Sequence, residues 1–400
     1  MNSVDTGFIL ICAALVMFMT PGLALFYGGM VRSRNVLGTV MHSFILIALV
    51  SVIWSLVAYS LSFGSSIGGI IGGLDFAFLR GVGIDNSGSP ADNLPHLTFM
   101  IFQCMFAVIT PALITGAFAE RIKFGPFLVF SALWVIFVYS PMCHWVWGGG
   151  WMGEMGALDF AGGAVVHMSS GAAALAACFV LGKRVGYGTQ AFTPHNIPLT
   201  VLGAGILWFG WFGFNAGSAL AADGIAANAF VTTHLSAAAA ALGWILVEWM
   251  HRGKPTTLGA ASGAVAGLVA ITPAAGFVTP MPALFIGALA GAICYGGILL
   301  KSRLGYDDSL DVVGIHGLGG TWGALATGLF ASLGAEGLFY GNPGQLWIQF
   351  VSVIATWVFC FAASYILFKV VDAVMGLRVS EDKEVMGLDV SEHTESAYKF

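Results

Sequence analysis

The chain has 400 residues, 58% apolar and only 9% charged, with a formal net charge of −5. Soluble domains carry about 25% charged residues, so a water-facing surface over most of this chain is excluded, and no basic tract offers a nucleic-acid interface. The 55 glycines follow no collagen period and lie inside apolar runs, where small residues let membrane helices approach closely.

A helix needs about 20 apolar residues to cross a hydrocarbon core of about 30 Å. Cutting the sequence at charges, Pro/Gly clusters and Asn predicts an all-α integral membrane fold with eleven transmembrane helices. The first, near 7–31, has no basic stretch before it and exceeds a signal-peptide core, so it is expected to be retained with its N-terminus outside. The second lies near 36–63. In the third, 96–119, Phe102 and Phe106 are four apart and share a face, as stacked core residues or as a gate. The fourth, 125–147, ends in His144-Trp145-Val146-Trp147-Gly148-Gly149-Gly150-Trp151. Its tryptophans can be interfacial anchors, or can line a vestibule where an indole face holds a cation.

The fifth helix, 159–182, opens on Asp159-Phe-Ala-Gly-Gly-Ala-Val-Val-His167. Asp159 can cap the helix N-terminus or stabilise a cation near an entrance. The sixth, 196–220, carries Trp211, Phe214 and Ser218 on one stripe. The seventh, eighth and ninth are expected near 226–250, 257–277 and 281–301, the tenth at 311–333 and the eleventh at 345–371. Residues 1–372 thus form one expected helical domain, with a polar tail over 373–400 suited to docking on the cytoplasmic side.

Loop charges test these cuts, because basic residues favour cytoplasmic loops. Arg32 and Arg34, Arg121 and Lys123, Lys183 and Arg184, Arg252 and Lys254, Lys301 and Arg303, and Lys369 with Arg378, Lys383 and Lys399 fall on one side. Only Arg80 falls on the other, which predicts an outer N-terminus and a cytoplasmic C-terminus.

An internal repeat supports the same plan. Asp308-Ser-Leu-Asp-Val-Val-Gly-Ile-His316 repeats the spacing of Asp159 to His167. The fifth and tenth helices run in opposite directions, so a pseudo-two-fold axis in the membrane plane would bring both histidines to mid-depth. A five-plus-five inverted repeat follows, with halves near 7–185 and 196–333 and the eleventh helix as an extra element. Phe26-Tyr27-Gly28-Gly29 and Trp211-Phe212-Gly213-Phe214 form a weaker second match.

An ionisable side chain deep in a span marks a functional site by default. Either imidazole alone could simply bond to a neighbouring helix, whereas the matched pair points to a tunnel offering donors and acceptors to a small polar solute, or a proton relay. Two histidines without adjacent carboxylates or thiolates make a poor metal ligand set. The cysteines, Cys12, Cys104, Cys143, Cys178, Cys294 and Cys360, are scattered singly and read as small core residues. With no HExxH pattern and no paired intramembrane aspartates at a plausible catalytic depth, no enzyme activity, metal or other cofactor is expected.

Over essentially its whole length the sequence resembles the ammonium transporter family (Amt/Mep/Rh), Amt branch. The resemblance rests on Ala157-Leu158-Asp159-Phe160-Ala161-Gly162-Gly163 running to His167, Trp208-Phe209-Gly210-Trp211-Phe212-Gly213-Phe214-Asn215-Ala216-Gly217-Ser218, and Gly314-Ile315-His316-Gly317. It implies a homotrimer in the inner cell membrane, each subunit with its own pore. It also implies an outer ammonium site of Phe102, Trp147 and Ser218 supported by Asp159, a gate of Phe106 and Phe214, and a twin-histidine centre of His167 and His316, with Trp211 as a further pore-lining residue. A cytoplasmic PII-type regulator acting through inner loops and the tail is implied too. The alternative within the resemblance is an ammonium sensor with little or no transport.

Overall fold

In a lipid environment the backbone must satisfy its own hydrogen bonds, and helices do so within one segment. The computed structural model describes residues 1–398; Lys399, counted above among the basic tail residues, lies outside the described residues. Nine helices among the described residues are long and apolar enough to cross a membrane. They are α1 (Ser3–Met30), α2 (Ser33–Phe63), α3 (His96–Phe118), α4 (Phe124–Glu154, broken at 148–150), α5 (Gly163–Leu181), α6 (Ile197–Gly217), α7 (Gly224–Arg252), α9 (Pro280–Leu304) and α11 (Pro343–Met375). Two shorter helices complete the sequence order, α8 (Thr257–Ile271) and α10 (313–330).

Several ends differ from the expected ones. The fifth and tenth helices start at 163 and 313 rather than 159 and 311, because Gly162 (φ 117°) and Asp311 (φ 64°) take left-handed conformations that break helical continuation. Asp159 and Asp308 therefore sit before their helices. The eighth stops at Ile271 and continues as turns, and the eleventh runs through Met375, past the expected boundary at 372. Helices α5 and α10 each open with a six-residue π-helical turn, Gly163–Met168 and Val313–Leu318, each containing its histidine. Such turns recur at functional sites, and helical periodicity alone did not reveal these.

Burial ranks the helices. In α3, 89% of the most apolar stretch is buried, against 28% in α11 and 33% in α7. Helices α3 and α5 thus occupy the interior, while α7 and α11 present a large apolar face outward. Glycines set the close crossings. A Cβ at Gly203 would run into the backbone of Phe26, which explains how α6 lies directly on α1. A Cβ at Gly171 would overlap Gly317, and one at Gly320 would press on Gly163 and His167, so α5 and α10 meet backbone to backbone beside the histidines.

The two ends of the bundle differ in chemistry. At the N-terminal end, Asp5 accepts from Asn93 Nδ2 and from the Ala222 amide, both at 2.9 Å, tying α1 to two loops. A two-residue antiparallel hairpin, β1 (Ser66–Ile67) with β2 (Ile71–Gly72), lies in the loop after α2. At the other end Glu120 receives Arg32 and Arg184, and Arg184 also grips Asp307 at 2.8 Å. Arg121 donates there to Ser309 and to the Asp307 carbonyl, both at 2.6 Å.

The tail is held at this ionic end. Its backbone pairs with 121–123 through Val379 N–H to Arg121 O (3.1 Å) and Lys123 N–H to Leu377 O (2.8 Å). Two short helices follow, α12 (Glu381–Met386) and α13 (Leu388–His393). Glu384 accepts the Val185 amide at 2.6 Å, and Asp389 accepts the Gly38 amide at 2.8 Å in the first turn of α2. Leu377, Val379 and Leu388 are buried, so the tail docks through apolar anchors as well as polar ones.

Candidate functional site

A cavity of about 320 Å³ lies at the end of the bundle that holds Asp5 and the α2–α3 loop. Helix α3 supplies Phe99, Gln103 and Phe106 to its wall, spaced four and three residues apart on one face, and Trp147, Phe160 and Ser218 complete it. The Ser218 hydroxyl donates to the Phe214 carbonyl at 2.9 Å. With its proton engaged there, its remaining lone pairs are free to accept.

Trp147 is fixed by its indole N–H, which donates to the Asp159 carbonyl at 2.9 Å. The Asp159 carboxylate in turn accepts the amides of Gly162, Gly163, Ala164 and Val165 at 2.9, 2.6, 2.8 and 3.3 Å. One residue thus closes the N-terminus of α5 with its carboxylate and positions an aromatic wall of the cavity with its backbone carbonyl.

From the cavity floor inward the rings follow one another. Phe106 stands edge-on to Trp147 at 5.9 Å and lies 4.3 Å from Phe214, tilted by 38° rather than parallel. Behind them the imidazole of His167 stacks on Trp211 at 5.4 Å and on Phe214 at 6.1 Å. Trp211 is held by its indole N–H on Thr272 Oγ1 at 2.9 Å. His167 Nδ1 and His316 Nδ1 are 3.3 Å apart, and both residues are buried. A second cavity, about 500 Å³, is lined by Met30, Glu248, Arg252, Ser262, Asp311 and Ile315 among others, the last adjacent in sequence to His316.

A neutral pair bonded Nδ1 to Nδ1 must hold opposite tautomers, because one ring carries the shared proton and the other accepts it. Their two Nε2 atoms then differ, one an acceptor and one a donor. His167 Nε2 has no protein partner and is free for a solute.

The structure brings Phe106, Trp147, His167, Trp211, Phe214, Ser218 and His316 into one line. Phe102 stands apart from it: fully buried, it packs edge-on against Phe106 at 5.0 Å, one layer behind the cavity wall. Asp159 likewise acts from behind Trp147. Sequence reasoning missed Gln103 and Phe99; an amide between two aromatics on an otherwise apolar helical face was the available signal. No group of three or more His, Cys, Asp or Glu that could hold a metal occurs among the described residues. A further cavity, about 590 Å³, is an apolar recess between α10 and α11 around Trp322, Trp347 and Phe350, and contains none of these site residues.

The opposite, ionic end is electrostatically distinct. Burial alone would raise the Glu120 carboxyl, but the Arg32 hydrogen bonds and the Arg184 and Arg32 charges outweigh it, leaving the group below its ordinary range. Asp307 behaves likewise through Arg184 and Arg121. Asp308, just before α10, goes the other way: burial pushes it up to about 6, with Lys301 opposing. It accepts the Val313 amide at 2.8 Å, while its Oδ1 has no partner.

The model of the Ammonium Transporter Family matches residues 7–398. The chain belongs to that family. An ammonium transporter of Bacillus subtilis (strain 168) is 57% identical over 401 residues, covering 99% of this chain and 98% of the relative. The crystal structure of Saccharomyces cerevisiae Mep2 superposes with a TM-score of 0.90 at 36% identity, over 96% of this chain and 89% of that one. A solved structure described as a sensor Amt protein superposes with a TM-score of 0.91 at 30% identity, over 98% of each chain. With family membership and nine membrane-length helices, the chain is a multi-pass membrane protein.

Proposed function

We propose that the protein transports ammonium, recruiting the cation in the outer cavity, deprotonating it at the Phe106–Phe214 gate and conducting ammonia past His167 and His316. The observation that carries this reading is the continuous file of rings that leads from Trp147 and Phe106 in the cavity wall through Phe214 and His167 to His316. Ser218 and the aromatic faces suit a small cation with N–H donors. Beyond them no charged side chain lines the file, and an unhydrated cation in such a path is costly. Ammonia carries no charge and can exchange hydrogen bonds with the imidazole pair. Phe102 and Asp159 support the outer site from the second layer, and Trp211 backs His167. The chain is a transporter and not an enzyme in this reading.

The finer architecture belongs to the same proposal. Eleven spans, counting α8 and α10, form a five-plus-five inverted repeat with α11 as the extra helix, over residues 1–372, and a tail follows. The gathering of Arg32, Arg121, Arg184 and Arg378 at one end supports a cytoplasmic assignment for it and an outer N-terminus. A homotrimer in the inner cell membrane, and a PII-type regulator acting on the inner loops and the docked tail, rest on the resemblance of the sequence to its family.

Current from the purified chain on a supported bilayer after ammonium pulses, with parallel uptake into vesicles, tests the reading. Potassium and sodium pulses and the variant His167→Asp are controls. Saturable, ammonium-selective current means that the proton crosses with ammonia; uptake without current means that it returns to the outer side. Neither current nor uptake, with ammonium binding retained, would replace transport by sensing, a reading that the sensor Amt neighbour supports.

A further inference from the structure

Gln103 is 8% exposed and lines the outer cavity with Phe106, Trp147 and Ser218. Its amide is bound to nothing: Oε1 is buried without a partner, and the side chain makes no hydrogen bond to any described residue. Two other polar side chains on α3 bond to their own backbone, Thr110 to Phe106 O at 2.6 Å and Thr115 to Ala112 O at 2.7 Å. An amide buried without partners is costly and calls for one. A half-turn of the amide exchanges its oxygen and nitrogen positions at no steric cost, so the oxygen can face the cavity whenever a donor occupies it.

Four features converge on what that donor is. The wall is otherwise aromatic and aliphatic, it holds one free side-chain acceptor in Ser218 Oγ, it has no charged lining side chain, and its volume suits a small ion with a few waters. We propose that Gln103 is a direct ligand of the recruited cation, its amide oxygen accepting one ammonium N–H while Ser218 accepts another. The inference rests on the outer-site part of the proposed function. Gln103 lies one helical turn before Phe106, so a cation held by Gln103 and Ser218 is presented to the gate with two N–H groups already engaged.

The test uses the full chain in vesicles and in detergent, as wild type, Gln103→Leu and Gln103→Glu, at pH 8. Half-saturation for ammonium uptake and equilibrium ammonium binding by calorimetry are read on all three. Loss of a hydrogen bond to a cation should weaken both by about tenfold in Gln103→Leu, with maximal flux nearly unchanged. The carboxylate of Gln103→Glu should shift both the opposite way, tightening binding. A purely structural glutamine would not produce shifts of opposite sign. Half-saturation and binding unchanged within twofold in both variants, or weakened in both, would overturn the assignment. Absence of uptake in the wild type with binding retained would count against transport alone, while the binding series still decides Gln103.

Discussion

The segments Asp159 to His167 and Asp308 to His316 share one spacing and one π-helical turn, yet are anchored by different means. Asp159 closes its helix by accepting four backbone amides and, through its carbonyl, holds Trp147. Asp308 accepts one amide and leaves an oxygen without a partner. Around it, the work of anchoring passes to its neighbours: Asp307 is gripped by Arg184, Ser309 by Arg121, and Asp311 pairs with Lys301. A repeated motif thus preserves where the histidines meet without preserving how each half is held there. The Asp159 segment relies on backbone capping, the Asp308 segment on an ionic network that also borders the docked tail.

The comparison can be broken most directly at Asp159. Asp159→Ala leaves four amides unsatisfied and should cost on the order of 4 kcal/mol, while the Asp159 carbonyl that holds Trp147 is retained. Asp308→Ala should cost about 1 kcal/mol or less by the same reasoning. Thermal unfolding of both variants in one detergent measures the difference, and equal losses would mean that the two caps are equivalent after all.

Next in size is Arg184→Gln, which leaves Glu120 and Asp307 buried with fewer partners and should cost about 3 kcal/mol. Limited proteolysis should then cut within 376–395, because Glu384 docks on the Val185 amide beside the lost guanidinium. A tail that stays protected would separate tail docking from the network.

A smaller effect, with opposite pH signs, distinguishes the carboxylates. Glu120 and Asp307 lie below their ordinary values, so their stabilisation is present above about pH 4.5 and is lost as the pH falls through their lowered folded values. Asp308 is raised from 3.8 to about 6, so its folded form holds the proton more tightly and stability declines as pH rises through that window. Asp308→Asn should therefore gain about 1 kcal/mol at pH 8 and nothing at pH 3, discounting the full shift for the lost attraction to Lys301. Unfolding profiles of wild type and variant that run parallel from pH 3 to 8 would contradict this.

The smallest expected effect is at the tail. Asp389→Ala removes a borrowed cap from the first turn of α2 and should cost about 1 kcal/mol, read as faster amide exchange at 36–40 with no change at Gly163–Met168.

Much of this was legible in the residues. Nine long apolar runs became membrane-length helices because length and hydropathy are local properties that a membrane solvent leaves few ways to satisfy. The faces that carry Phe106, Phe214, Trp147, Ser218 and the two histidines were readable as well, since an aromatic or ionisable residue at a helical register predicts a face. Phe102 shows the limit. Its spacing from Phe106 placed both on one side of α3, but a helical face is wide enough for one residue to line a cavity and its neighbour to stand behind it. Gln103 was passed over because a lone amide carries no charge to mark it, and its missing partners exist only as a fact about surrounding helices.

By itself the sequence determined the helices, their order, the segregation of basic loops, and the pairing of two Asp-to-His segments. Only the tertiary structure decided that the imidazoles meet at 3.3 Å, because that depends on Gly171, Gly317 and Gly320 allowing α5 and α10 to touch. It alone decided that Asp159 is a four-amide cap, that Asp308 is not, and that the tail folds back onto the inner ends of the helices. Local pattern sets which face a side chain occupies; distances and partners are set by backbones far apart in the chain, and no single segment carries that information.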